Sequence, residues 1–423
     1  MITWCLRIAL TGSLFTCLSL AVEGQEKVIR GVETLDARQC DFSTRLPLKG
    51  NWSFIENNID SPQTISGDDL TVRVFPSLWN DHRPDGKGIG YATYVLDVLI
   101  PDSIRALALE IPQLYSSYKL WVDGRLITYA GIPDVRAENS VPQWVYQVVP
   151  FSSTRDTIQI VLQLANFHHH KGGAMNPIYL GTENVINKHF NWSIGSNVFE
   201  AAILFLEGII FLFVYKRKDK KVILYFALLC LTWSVRSIFS NLYPLILVFP
   251  DFSWQWMVKI EYITLYLMVV WAALFFNTIF KDISNIIFTY LPIMINLFFV
   301  AFTLFTPAII FTRWVSIYLG VAALVILYGV ILIVRALLID KDGSWFLMAS
   351  IWVGVILFGY DIAAYQISFS YNVVFLNIGY VVIFMLTTVA LLYHLGILKS
   401  NTNEKNVLTL DDIYNPNKNR NHD

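Results

Sequence analysis

Apolar and polar residues divide this chain into two halves with different periods. From about Glu26 to Trp192, short alternating runs are separated by Gly, Pro and Asp breaks. "YATYVLDVLI" (91–100), "ALALEI" (106–111), "YKLWV" (118–122) and "TIQIVLQLA" (157–165) read as strands, because strand side chains alternate between faces. Asp123-Gly124, between "KLWV" and "RLITY", suits the positive-φ turn that matches the twist of a hairpin. Further candidates at Trp52–Ile55, Thr71–Phe75 and Val145–Val149 bring the number to about eight. Many short strands with turn punctuation predict an all-β sandwich or jelly roll. About 165 residues suffice for an independent core.

Beyond Trp192 the alternation gives way to long apolar runs at about 194–215, 222–243, 257–280, 286–306, 314–334, 345–367 and 373–395. Each has roughly the 20 residues needed to cross a hydrocarbon core of about 30 Å, so an all-α seven-helix transmembrane bundle is expected. Ahead of the strands, Arg7 precedes an apolar run from about Ile8 to Val22, with small residues near Ala21 and Gly24, the pattern of an export signal. The expected domains are therefore a signal peptide (1–24), an extracytoplasmic β-sandwich (25–192), the membrane domain (193–396) and a short polar tail (397–423).

Basic residues orient these spans, since Lys and Arg concentrate on the cytoplasmic side. The first connection, "KRKDKK" (216–221), is almost wholly basic, and Lys281, Arg335, Lys341 and the tail fall on the same side. On the other side "PLILVFPDFSWQW" and "SFSYN" have no basic residue. The expected localisation is the inner (cytoplasmic) membrane, with the β domain periplasmic or extracellular and the C-terminus cytoplasmic, as the export signal independently requires.

Composition narrows the function. The 423 residues are 55% hydrophobic and 15% charged, against about a quarter charged in soluble proteins. The net charge of −1 gives no basic footprint for nucleic acid. Cys40 is alone in the exported part, so no disulfide framework is expected there. No HExxH or GxSxG signature occurs and no carboxylate pair stands out, so neither an enzyme nor a cofactor is expected.

Two features invite chemistry. Within the spans lie Glu200, Glu207, Arg236, Glu261 and Asp361. At 1.5 Å rise per residue, Glu200, Arg236, Glu261 and Asp361 all fall within about 6–11 Å of the outer boundary, so a paired charge cluster is expected, as a static lock, a switch or an ion path. The second feature is "NFHHHKGG" (166–173). On a strand His168 and His170 would share a face, too few ligands for a zinc site, so no metal is expected and a structural or ligand-contacting role remains. Trp79, Tyr115, Tyr118, Trp144, Asn166, His168 and His170 are the ligand-binding candidates, since aromatic faces stack on sugar rings. Trp254, Trp256, Trp314 and Trp345 read as interfacial anchors.

Four separated segments carry a family likeness: "LKGNWSF" (48–54), "GIGYATYVLDVLIP" (88–101), "LALEIPQLYSSYKLWVDGRLITYAG" (107–131) and "VLQLANFHHHKGGAMNPIYLG" (161–181). With the seven spans, they make the chain resemble the bacterial seven-transmembrane receptors with diverse intracellular signalling modules, bearing the second type of extracellular domain. The "KLWVDGRLI" hairpin also resembles the sugar-binding-like domain of family 2 glycosidases. The resemblance implies a jelly-roll domain like carbohydrate-binding modules, sensing a small molecule or glycan outside the cell. Such receptors commonly continue into a kinase or cyclase. Here "ILKSNTNEKNVLTLDDIYNPNKNRNHD" follows the last span, so the output is expected from a separate cytoplasmic or membrane signalling partner. A transporter or channel with an exported accessory domain is the alternative, although no inverted repeat is visible.

Overall fold

The computed structural model describes residues 29–30, 34–60, 62, 70–101, 106–153, 155–367 and 372–398, with side chains undescribed at 29, 30, 358 and 361–367. The expected signal peptide and the tail beyond 398 lie outside these residues.

The strands are β1 (Ile29–Arg30), β2 (Thr34–Asp36), β3 (Leu46–Pro47), β4 (Gly50–Glu56), β5 (Thr71–Phe75), β6 (Gly90–Leu99), β7 (Ala106–Ile111), β8 (Ser117–Val122), β9 (Arg125–Ala130), β10 (Gln147–Ser152), β11 (Thr157–Asn166) and β12 (Tyr179–Thr182). They form an eight-stranded and a four-stranded sheet. In the larger sheet β11 is central, antiparallel to β6 from Thr157↔Leu99 to Asn166↔Gly90 and to β8 from Ile160↔Val122 to Ala165↔Ser117. The smaller sheet runs β10-β7-β12-β3. Leu96, Val98, Leu120, Ile160 and Leu162 of the large sheet share one buried core with Leu107, Leu109, Ile111 and Leu180 of the small one. The domain is thus a two-layer β-sandwich, in which alternating inward positions supply the apolar interior.

Asp123-Gly124 forms the β8–β9 turn with φ of 48° and 76°. The short helix α1 (Trp79–His82) interrupts the strands, and Trp79 is wholly buried.

Helix α2 (Glu183–Lys218) follows β12 directly and runs for 36 residues, about 54 Å at the α-helical rise. Its first turns lie against the small sheet, where Ile186 is buried with Ala108 and Tyr179. The boundary expected at 192–193 therefore falls inside a continuous helix. Beyond it come α3 (Lys221–Phe239), α4 (Pro244–Val248), α5 (Trp254–Ile279), α6 (Ile286–Phe305), α7 (Ala308–Phe311), α8 (Val315–Leu338), α9 (Ser344–Ile367) and α10 (Val373–His394). Among the described residues, six helical segments are long and apolar enough to cross a membrane: α2, α3, α5, α6, α10 and the stretch Ala308–Leu338. Helix α9 coincides with the run at 345–367. Phe213, Ile287, Phe298, Leu324 and Ile326 are exposed on the outside of the bundle, an apolar surface suited to lipid rather than water. This is a multi-pass membrane protein.

Candidate functional site

The histidine run folds around Asn166, the last residue of β11. Its buried amide Nδ2 donates to the carbonyls of Gly88 (2.7 Å), His169 (2.8 Å) and Lys171 (3.0 Å), while Oδ1 accepts from the His169 N–H (3.1 Å). One side chain thereby satisfies backbone groups that a strand end leaves unpaired. The turn closes because Gly88 and Gly172 lie backbone to backbone. A Cβ on Gly172 would sit 1.9 Å from the Gly88 oxygen.

With the strand ended at Asn166, face alternation no longer applies, and the middle histidine turns inward. His169 is 2% exposed, and its ring stacks on Tyr115 at 4.7 Å with 16° between planes. Burial pushes its imidazole down to about 3, so it is neutral at ordinary pH. His168 is half-buried, with Nε2 2.9 Å from the Ser140 carbonyl oxygen. The His170 backbone N–H donates to Thr312 Oγ1 in the membrane half (3.1 Å). Among the described residues, no three His, Cys, Asp or Glu side chains are grouped to hold a metal.

The Tyr115–His169 stack is one wall of an aromatic junction between sandwich and bundle. Trp144 meets Tyr115 (5.7 Å) and His169 (5.4 Å) on the sandwich side. On the membrane side it meets Tyr243 (5.3 Å) and, edge-on at 84°, Trp254 (5.3 Å). Met257, Val258 and Phe311 complete this buried cluster. The Tyr243 hydroxyl then donates to Glu261 Oε2 (3.0 Å), and Arg236 Nη1 donates to the Glu261 backbone carbonyl (2.6 Å). Packed rings and hydrogen bonds thus run without interruption from Asn166 to Arg236.

A second, polar contact ties the small sheet to α2. Glu110 on β7 is 2% exposed. It accepts from Arg45 Nη1 (2.8 Å) and from the Tyr146 hydroxyl (2.5 Å), and His189 Nδ1 of α2 lies 3.2 Å from its second oxygen. Burial alone would raise the Glu110 carboxyl, but His189, the Arg45 charge and the Tyr146 hydrogen bond outweigh it and hold it below its ordinary value. Burial, with the adjacent Glu110 charge, pushes the Tyr146 phenol up.

Several expectations are corrected here. Trp79 and Tyr118 are core residues: Trp79 Nε1 donates to the Tyr94 hydroxyl (2.8 Å), and the Tyr118 hydroxyl accepts from Gln147 Nε2 (2.5 Å). Neither ring can meet a ligand. Tyr115 and Trp144 face the membrane domain instead of an outer rim, and Asn166 is committed to its turn. Trp254 is 6% exposed and belongs to the junction rather than to the lipid interface.

Among the described residues, the intramembrane charges Glu200, Arg236 and Glu261 do not form one ion-paired cluster. Arg236 takes a backbone carbonyl, and among the described residues no carboxylate approaches its guanidinium within 4.0 Å. Glu200 is held elsewhere, by Trp233 Nε1 (2.6 Å) and by the Asn377 amide, which donates to Oε2 (3.1 Å) when turned to satisfy both its neighbours. The Asp361 side chain lies outside the described residues. Glu207, deeper in the bundle, accepts from Thr388 Oγ1.

The sequence reading missed His169, Glu110, His189 and Tyr243. In "ALALEI" Glu110 alternates with the core residues Leu107, Leu109 and Ile111, so it reads as an ordinary outward acid. Only the packing of α2 on that face, where Ile186 meets Ala108 and His189 meets Glu110, buries it.

A β-sandwich packed onto a bundle of long apolar helices defines a class, the multi-pass membrane proteins with a folded β domain. Residues 198–396 match the family model described as 7TM diverse intracellular signalling. No curated protein matches the chain. Among solved structures, it is similar to a Faecalibacterium prausnitzii beta-glucuronidase (13% identity, 32% of this chain and 31% of that one, TM-score 0.26). It is also similar to a glycosyl hydrolase family 2 member from Bacteroides cellulosilyticus (13%, 32% and 20%, TM-score 0.27) and to an uncultured Clostridium sp. beta-glucuronidase (12%, 38% and 31%, TM-score 0.27). The chain spans less than a third of the length of these enzymes.

Proposed function

We propose that this protein is a sensor whose exported sandwich binds an external small molecule or glycan and relays that state through the helices to a separate signalling partner. The reading rests above all on the junction around Trp144, which joins sandwich rings to Tyr243 and Trp254 of the membrane half. A ligand can shift a two-state protein only through different affinities for the two states. Rings and hydrogen bonds that couple the sandwich to Glu261 and Arg236 offer such a bistable element. Helix α2 supplies a second linkage, because it begins in the sandwich and ends at Lys216–Lys218. The basic side of the bundle is the cytoplasmic side in this reading, which places the sandwich outside and the partner near Lys216–Lys218.

The test places spin labels at Lys218 and Asp342, two exposed positions beyond the ends of the spans, in the full chain in nanodiscs. Trp144→Ala removes the ring linking the two halves, and the distance distribution between the labels should shift or broaden. A distribution identical to that of the unaltered junction, in a protein still folded by circular dichroism, would remove the relay.

A further inference from the structure

A cleft on the sandwich, remote from the junction, contains a cation that has no counterion among the described residues. The cleft is about 440 Å³ and is lined by Glu56, Asn57, Arg73, His82, Arg83 and Asp85, among others. Most of its charges are already matched. Arg83 Nε donates to Glu56 Oε1 (2.9 Å), and Arg83 Nη1 also reaches the carbonyls of Lys87 and Ile89. Asp85 takes Lys87, through its backbone N–H (3.1 Å) and its ammonium (3.5 Å).

Arg73 is different. It lies on β5, which pairs only with β4 among the described strands and so forms a sheet edge. The residue directly across is the buried Trp52, so Arg73 points toward the rim of the core. Its guanidinium carbon sits 4.4 Å from the centroid of the Phe54 ring. Nη1 is sealed from solvent and has no hydrogen-bond acceptor among the described residues. A guanidinium cannot shed its proton to escape burial, and buried charges are ordinarily paired. The same half-buried side chain lines the cleft, and guanidinium N–H groups turned toward that space match the two oxygens of a carboxylate.

We infer that this cleft binds a small carboxylate-bearing ligand of the sugar-acid class, with Arg73 taking the carboxylate. Asn57 and His82 at the rim are the groups available to hydroxyls, and the volume is of the order that ligand sites have. The inference rests on the receptor reading for its biological use, since it names the class of molecule sensed. The binding event itself does not depend on that reading.

The experiment uses the full chain in nanodiscs and measures binding of glucuronate by calorimetry, with glucose, acetate and inorganic phosphate as comparisons. Glucuronate is expected to bind, glucose to bind at least tenfold more weakly, and Arg73→Gln to abolish the difference. Because Arg73→Gln could disturb the sheet edge, Arg73→Lys and His82→Ala are measured beside it. The first should keep the charge but weaken binding, and the second should lower affinity severalfold with an unchanged melting temperature. Equal binding of glucose and glucuronate, undiminished binding by Arg73→Gln, or phosphate binding as tightly as glucuronate would each overturn the inference. So would strong coupling in melting temperature between Arg73→Gln and the double substitution Asp68→Asn/Asp69→Asn, which would make the counterion one of the chain's own carboxylates. Glucuronate binding without movement of the Lys218 and Asp342 labels would overturn the receptor reading and leave the cleft standing. Label movement in Trp144→Ala without glucuronate binding would do the reverse.

Discussion

Replacing Glu110 with Gln keeps the shape of the side chain and deletes its charge. Its partners are Arg45 at 2.8 Å, with 11% of its side chain exposed, the Tyr146 hydroxyl at 2.5 Å and His189 at 3.2 Å. The amide can still accept one hydrogen bond, but it leaves the Arg45 cation over the Tyr179 ring (4.0 Å) without this anion. Removing one partner of a buried ion pair costs about 3–5 kcal/mol. The lower end applies here, because the amide retains part of the network and Arg45 keeps some solvent. About 3 kcal/mol at about 2–4 °C per kcal/mol lowers the melting temperature of a domain of this size by about 6–12 °C. The pH dependence separates charge from packing. The folded carboxyl lies below its ordinary value of 4.5, so its contribution is fully present above pH 4.5 and is lost as pH falls below that through the folded value. Unfolding of the full chain in detergent, followed by tryptophan fluorescence, should show a large gap between the unaltered protein and the Glu110→Gln variant at pH 7. That gap should narrow below pH 4.5. A gap under about 1 kcal/mol at pH 7, or one that stays constant through the acid range, would refute the reasoning.

The junction histidine makes a prediction with its own pH window. His169 is held down to about 3 from 6.5. The unfolded chain therefore takes up a proton that the folded one refuses, and stability is lost as pH falls from 6.5 toward 3. His169→Phe, which keeps a ring against Tyr115, should remove the slope between pH 6.5 and about 5, as read from melting midpoints across that range; an unchanged slope would assign it to another group. Gly172→Ala places a methyl 1.9 Å from the Gly88 oxygen. Backbone cannot yield as a side chain can, so the sandwich should lose more than about 3 kcal/mol, seen as loss of the folded protein or rapid proteolysis at the 167–173 turn.

The sandwich and the spans were legible because their signals are local. Period-two alternation marks Gly90–Leu99 and Thr157–Asn166, and unbroken apolarity marks the bundle. The start of α2 was not legible, because "ENVINKHFNW" is too polar to read as a span. What supports a helix there is tertiary: Ile186 is buried against the sheet and His189 faces Glu110. The candidate site was half visible. The histidine run flagged the right segment, but alternation nominated His168 and His170, whereas the Asn166 side chain bends the backbone and sends His169 inward. Partners distant in sequence leave no local trace, as with Arg45 and Glu110, 65 residues apart, or His170 and Thr312, 142 apart. Aromatic residues were also overread as binding surface, since Trp79 and Tyr118 serve the core as volume.

Helix α2 leaves Thr182 and continues to Lys218 without an internal proline. A helix of this kind fixes azimuth as well as distance: each residue added or removed turns everything beyond it by about 100°. The sandwich and the bundle are therefore keyed to one another like two cams on a common shaft. A change in the length of this segment would cost the junction far more than a change in its composition, because a single inserted residue would swing Trp144 away from Tyr243 while leaving every strand and every span intact.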